Sequence, residues 1–316
     1  MLARIPKLLV LAAVSLRVAA TPVLFDGRIP HNYTQANLDN SQDPFLTVVK
    51  GTESASHYTK LEGNEMAPTP LWRVFPFKAD EQVISVSIDN TSVFSPGGNN
   101  PQYGFRRTDI IAERDGSPST LIPIMENGTT VFHFSIKADT KHFLDYRHEY
   151  QIVFIEPSDG SHVFGIQLGT PFSSDPNARP AKDAHFFKVL DHSLNVLFRT
   201  PFILGVWYNF AIQVDWEART LGVWYSIEGF PLVPVTGLIE NTSQQEGGAG
   251  KGEFHFGVLK LPLVNPSDTP EQQGDVVHFG IQEGTTEGLH YSGVFVESGE
   301  KGVSVGYGLT SHPIRK

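Results

Sequence analysis

Arg107 and Asp109 stand two positions apart in the stretch Tyr103-Gly104-Phe105-Arg106-Arg107-Thr108-Asp109-Ile110-Ile111, which follows a proline- and glycine-rich turn from Ser95 to Pro101. The stretch reads as a β-strand. Side chains alternate between the faces of a strand, so residues 103, 105, 107, 109 and 111 share one face and 106, 108 and 110 the other. A carboxylate is thereby held beside a fixed positive charge. A second acid with outward placement is Glu149, in His148-Glu149-Tyr150-Gln151-Ile152-Val153-Phe154. There Tyr150, Ile152 and Phe154 form an apolar face, and Glu149 and Gln151 point away from it. Two carboxyl groups are what glycoside hydrolysis needs: one protonates the leaving oxygen, and the other activates water or attacks directly. Arg107 favours ionised Asp109, which suits a general base. Glu149, further from a cation in sequence, is left as a general acid with a raised pKa.

The same alternation turns other polar side chains outward. In Thr130–Lys137, Phe132, Phe134 and Ile136 face the core and His133 and Ser135 the opposite side. His255 lies between Phe254 and Phe256, and His278 between Val277 and Phe279, so both point out. Arg107, His133, Gln151, His255 and His278 are the expected substrate-binding residues around Asp109 and Glu149. Each also has a structural reading. Asp109 with Arg107 makes an ion pair, Glu149 is a solvated strand residue, and a histidine between apolar neighbours packs.

The elements that must position these residues are strands. Alternating segments occur at Gln82–Asp89, Tyr103–Ile111, Thr130–Lys137, His148–Glu156, His162–Gly169, His185–Leu190, Trp207–Trp216, Leu221–Ile227, Glu253–Leu259, Val276–Gln282 and Tyr291–Glu297. Turn residues separate them, helped by 29 Gly and 22 Pro. No stretch keeps a helical period, so the expectation is an all-β sandwich of two antiparallel sheets. Trp207–Trp216 followed by Ala218–Tyr225 reads as a hairpin of the concanavalin type of jelly roll, with a concave groove on one sheet. Its Phe210, Ile212, Val214 and Val223 fill the core. Trp207, Trp216 and Trp224 either pack there or offer a flat face to a sugar ring.

Residues 1–20 read as a secretory signal, with basic Arg4 and Lys7, apolar Leu8 to Leu16, and small residues Val18-Ala19-Ala20 before Thr21. The apolar run is too short to span a membrane. Residues 21–316 show no repeat, linker or composition break and read as a single domain, secreted and monomeric. Asn32, Asn90, Asn127 and Asn241 begin N-glycosylation sequons. There is no cysteine, so thiolate chemistry and disulfides are excluded. Loss of the signal removes three cations and no acid, and the net charge moves from −10 to −13. That balance disfavours nucleic acid or an anionic membrane and suits a neutral glucan.

Several short motifs then occur in order: Pro96-Gly97-Gly98, Pro101-Gln102-Tyr103-Gly104-Phe105-Arg106-Arg107, His148-Glu149-Tyr150, Gly205-Val206-Trp207-Tyr208-Asn209-Phe210, Phe254-His255-Phe256-Gly257-Val258-Leu259-Lys260 and Gln282-Glu283-Gly284 with Glu287-Gly288. Together they resemble the fungal glycoside hydrolase family 131 catalytic domain, from Leu24-Phe25-Asp26-Gly27-Arg28 to Ser292-Gly293-Val294-Phe295. The resemblance implies a β-jelly-roll β-glucanase acting on β-1,3-, β-1,6- and β-1,4-linked glucans without a cofactor or metal. It also implies a catalytic pair of glutamates. Those positions are Asp109 and Glu149 here, and the groove histidine of the family corresponds to His255. The departure is Asp109, an aspartate where the family has glutamate. Its carboxyl sits roughly a bond length back, a displacement that can cost about a hundredfold in rate.

An inverting reaction tolerates such a change better, because its carboxyls flank a water at about 6.5–9.5 Å. Inversion is therefore the expectation. The alternative is a glucan-binding protein of the same fold that no longer cleaves. A lyase on an acidic polymer is disfavoured by the acidic chain, and a calcium lectin by the lack of a compact acidic loop.

Overall fold

The computed structural model describes residues 21–73, 80–175 and 177–315. The signal-peptide reading of residues 1–20 lies outside them. Two large antiparallel sheets make up the body. One runs in the order Val233–Pro234, Thr220–Ile227, Tyr208–Asp215, Thr129–Ala138, Glu287–Ser298, Ile84–Ile88, Thr59–Leu61, with Val23–Asp26 and Ile239–Glu240 paired on its flanks. The other runs Val196–Pro201, Phe186–Asp191, Phe164–Gly169, Glu149–Pro157, Gly252–Lys260, Arg106–Ala112, Phe45–Leu46. Consecutive strands pair at the sheet edges, while the central neighbours, such as Thr129–Ala138 with Glu287–Ser298 and Glu149–Pro157 with Gly252–Lys260, come from distant parts of the chain, as in a jelly roll.

The sheets are held face to face by aromatic side chains that alternate inward. Phe132 of one sheet meets Phe164 and Phe254 of the other at ring-centroid distances of 5.7 and 5.1 Å. Phe210 meets Phe187 at 5.5 Å, and Tyr291 meets Phe256 at 5.3 Å. These edge-on and tilted contacts suit the ring quadrupoles and add to the area they bury. The expected inward set Phe132, Phe134 and Ile136 is fully buried, as are Phe210, Ile212, Val214 and Val223.

Trp207, Trp216 and Trp224 are 3%, 8% and 1% exposed, so none offers a face to a sugar. Trp216 donates its indole N–H to Thr130 Oγ1 at 2.8 Å. Trp224 packs in a second, smaller cluster with Leu71, Val303 and Val305.

The expected strands are present with shifted ends, except Val276–Gln282. That segment is a turn following the short helix Pro270–Gly274, and only Ile281 of it pairs, with Leu263. Thr269 caps the helix through the Gln272 N–H, and Gly280 at φ +109° takes the chain out of an extended course. The opening stretch also starts later than expected. Tyr103–Phe105 is not extended in the sheet, which begins at Arg106.

One register shift reorganises a face. The strand Glu149–Pro157 carries a bulge between Gln151 and Val153, which pair with the consecutive residues Gln167 and Ile166 of the neighbouring strand and leave Ile152 as the extra residue. A bulge inserts one residue and so inverts the alternation beyond it. Tyr150 and Ile152 point into the core as expected, and so do Val153 and Ile155, but Phe154 is turned to the outer face. This corrects the expected apolar face of Tyr150, Ile152 and Phe154.

Candidate active site on the outer face of the seven-stranded sheet

Three central strands of the smaller sheet, Arg106–Ala112, Gly252–Lys260 and Glu149–Pro157, bury Ile110, Ala112, Phe254, Phe256, Val258, Tyr150 and Ile155 against the core. The opposite face therefore receives Arg107 and Asp109 from the first strand, His255 from the second, and Glu149, Gln151, Phe154 and Glu156 from the third. Asp109 lies opposite Gly257, and Arg107 opposite Leu259, which in turn faces Gln151. A Cβ on Gly257 would come within 2.2 Å of the Thr108 carbonyl oxygen, so only glycine lets the two strands close beside Asp109.

By register, Arg107 and Glu156 are six residues and two strands apart, about 20 Å along the strands and about 10 Å across. Yet Arg107 Nη2 donates to Glu156 Oε2 at 2.8 Å. The two long side chains lean toward one another along the strands, Arg107 across Asp109, so that their tips meet. Asp109 and Glu149 share this face, offset by about four residues along the strands and two strands across it.

The Asp109 end is sealed. Its side chain has no exposed surface, and Arg107, itself 9% exposed at the side chain, lies over it and donates from Nε to Oδ2. His255 Nδ1 is 3.7 Å from the same carboxylate, a charged neighbour and not a hydrogen-bond partner. Burial works to raise the Asp109 pKa, but the charges of Arg107 and His255 outweigh it and hold it below the usual carboxylate range. For His255, burial works to lower the pKa, and the carboxylates of Asp109 and Glu253 raise it on balance. Phe154 is sandwiched between His255 at 4.9 Å and His162 at 4.2 Å, both nearly parallel to it. Burial, together with the positive charges of His255 and Arg107, pushes His162 down to about 3, so that imidazole is neutral. Asp109 Oδ1 and both ring nitrogens of His255 have no hydrogen-bond partner among the described residues.

The Glu149 end is open. Its Oε2 accepts the Phe172 backbone N–H at 2.7 Å and its Oε1 accepts the Gln151 amide at 3.0 Å. The carboxyl forms part of the wall of a cleft of about 320 Å³ shared with Arg147, Phe172, Pro262, Leu263 and Ile281. Beside it, Lys260 is buried between Glu283 at 3.0 Å and Glu287 at 2.7 Å, and the Tyr150 hydroxyl donates to Glu287. Asp145, His148 and Glu283 bring one ligand atom each within 4.8 Å of one another, as a metal ion would require. Their charges are already met, because Arg147 bridges Asp145 at 2.5 Å and Glu283 at 2.7 Å, and Lys260 holds the other Glu283 oxygen.

Of the residues expected around a substrate, Arg107, Gln151 and His255 share the face with Asp109 and Glu149. His133 does not. It does turn away from the core, but on the larger sheet, where it is fully buried, 2.9 Å from Glu297 and stacked on Phe295. Alternation distinguishes inside from outside and says nothing of which sheet a strand joins. His278 sits in the turn after Pro270–Gly274, bound to Asp275 at 2.9 Å and to Asn100 at 3.1 Å, on no strand face. Among the sequons, Asn32, Asn90 and Asn127 are exposed. Asn241 is 2% exposed, donates to the Val163 carbonyl at 2.9 Å and accepts the His192 N–H at 2.9 Å, so the folded chain has no room for a glycan there.

Glu156, Phe154, His162 and Phe172 escaped sequence reasoning. The bulge hid the first two. His162 precedes its strand, and Phe172 lies in a loop whose only cue is the pair of prolines at 171 and 180.

A family model described as the glycoside hydrolase 131 catalytic N-terminal domain matches residues 23–302. The fold is similar to a crystal structure of a GH131 beta-glucanase catalytic domain from Podospora anserina, with TM-score 0.66 and 21% identity over 90% of this chain and 99% of that one. It is likewise similar to the catalytic domain of the glycoside hydrolase family 131 protein from Coprinopsis cinerea, with TM-score 0.65 and 23% identity over 91% and 99%. No curated protein matches the chain.

Proposed function

This chain belongs to the glycoside hydrolase 131 catalytic-domain family, and on that premise we propose that it is a secreted β-glucanase hydrolysing β-1,3-, β-1,6- and β-1,4-linked glucans. The observation that supports the reading is the presence of two unlike carboxyls on one sheet face: Glu149 open to a cleft, and Asp109 kept ionised by Arg107. Glu149 gives its proton to the glycosidic oxygen as the bond to the anomeric carbon breaks. A water attacks that carbon from the other side and yields its proton to Asp109, so the configuration inverts. Asp109 is reached when the Arg107 guanidinium, already shared with half-exposed Glu156, swings toward it. His255 supports the Asp109 charge, and Gln151 orients Glu149.

The test is hydrolysis of laminarin and of a cellulosic glucan, followed by proton NMR of the first-formed anomer. An α-anomer is expected, and a β-anomer appearing first would rule out inversion. A second reading, glucan binding without cleavage, is favoured by one observation, the absence of any exposed surface on the Asp109 side chain. It predicts retention on insoluble glucan with no reducing sugar released.

A further inference from the structure

We propose that the cleft beside Glu149 is the subsite for the leaving part of the glucan, that it takes a single glucosyl ring by its apolar faces, and that Phe172 is the residue that selects this ring. The inference rests on the hydrolase reading above and adds to it where the ring sits and what grips it.

Two walls define the cleft. Pro171, Phe172 and Pro180 stand on one side, and Leu263, Val264 and Ile281 on the other. The second wall is fixed: Leu263 and Ile281 exchange backbone hydrogen bonds of 3.0 and 2.7 Å. The first is tied at its base, where the Thr170 N–H donates to the His148 carbonyl at 2.9 Å and the Thr170 hydroxyl to the Tyr146 carbonyl at 2.8 Å. Such a cleft is formed before any ligand arrives, which lowers the ordering cost of binding.

The chemistry of the walls matches one ligand class. A β-linked glucosyl ring carries its substituents equatorially, so both faces present only C–H groups and its polarity lies at the edge. Apolar walls suit the faces, while Arg147, Thr170 and Asp175 at the rim offer donors and acceptors to the edge. At about 320 Å³ the cavity is at the lower limit of ligand sites, which run from about 300 to 1,000 Å³. It holds one ring and not a chain.

Glu149 fixes which ring that is. The donor oxygen must face the glycosidic oxygen, so the sugar in the cleft is the one that departs with it. Phe172 acts twice: its backbone N–H orients the Glu149 carboxyl at 2.7 Å, and its side chain lines the cleft that the ring enters. Selection of the leaving ring and placement of the proton donor are thereby joined in one residue.

The experiment compares wild type, Phe172→Ala and Phe172→Tyr on β-glucan oligosaccharides of increasing length. Phe172→Ala keeps the backbone N–H, so the expected loss is about 10- to 100-fold in kcat/KM, carried mainly by KM, the scale for losing one apolar pocket contact. Phe172→Tyr is expected to restore most of it. Unchanged kcat/KM and product lengths in Phe172→Ala, with an unchanged Tm, would overturn the proposal. A binding arm stands apart from catalysis: glucose is titrated by NMR into the Glu149→Gln protein with and without Phe172→Ala. Binding lost only with Phe172→Ala supports the cleft even if wild type proves to release no reducing sugar, which would sink the hydrolase reading alone. Equal binding by both overturns the cleft.

Discussion

Asp109 and Glu149 occupy one sheet face and live in opposite environments. Asp109 is sealed, ion-paired to Arg107, with the His255 imidazole 3.7 Å away. Glu149 is half-buried at the wall of a cleft and is held by two neutral N–H donors. A carboxylate locked in a buried ion pair is costly to disturb, whereas Glu149 lines a cleft that a ligand can enter. The difference teaches that two acids on one sheet face can be held for opposite ends, one as the buried partner of a cation and the other at the wall of a cleft.

The comparison breaks most decisively through Glu149→Gln. It should lower glucan hydrolysis by about 10²- to 10⁴-fold, the range for a general acid, with little change in Tm. Full activity in a reducing-sugar assay would remove Glu149 from the reaction. Asp109→Asn should do the reverse in stability. Arg107 keeps Glu156 but loses its fully buried partner, which should cost about 3 kcal/mol, a fall of roughly 6 °C by calorimetry. A Tm within a degree of wild type would show that the pair is not buried as described.

The comparison sharpens through Asp109→Glu. The added methylene should restore reach and raise activity by about tenfold or more, at an overpacking cost of about 1–3 kcal/mol. Unchanged turnover would mean that length at 109 is not what limits the reaction.

A smaller effect concerns pH. The depressed Asp109 pKa adds stability above the ordinary aspartate value of 3.8 that is lost as pH falls through the folded value. Two other acids have the opposite sign. Burial raises Glu81 to about 7 and Glu126 to about 8 from 4.5, against one backbone N–H each. The folded state then holds protons that the unfolded state has released, so stability falls as pH rises from about 4.5 toward 7 and 8, by about 1.4 kcal/mol per pH unit for each group at most. Glu126→Gln should flatten the decline of Tm between pH 5 and 8. A wild-type Tm that rises over that range would contradict the assignment.

Much of the fold was legible because alternation is local. Phe132, Phe134 and Ile136 announce an inward face by themselves, and the outward placement of Arg107, Asp109, Gln151 and His255 follows from the same two-residue period. His133 shows the limit: its outward orientation was legible, and its membership of the larger sheet was not, because strand pairing is set by contacts far apart in the chain. Phe154 shows another. One extra residue within the strand, Ile152, reverses the face beyond it, and nothing in the sequence of Glu149–Pro157 marks it.

The sequence by itself determined that the chain is all-β, that it carries outward acids at 109 and 149, and that the first is an aspartate beside an arginine. Those properties depend on residue type and near neighbours. Only the tertiary structure decided that Arg107 reaches Glu156 two strands away, that Asp109 lies sealed beneath that arginine, and that a loop from a different part of the chain delivers the Phe172 N–H to Glu149. Strand pairing, burial and loop placement arise from packing two whole sheets together, and no segment encodes them alone.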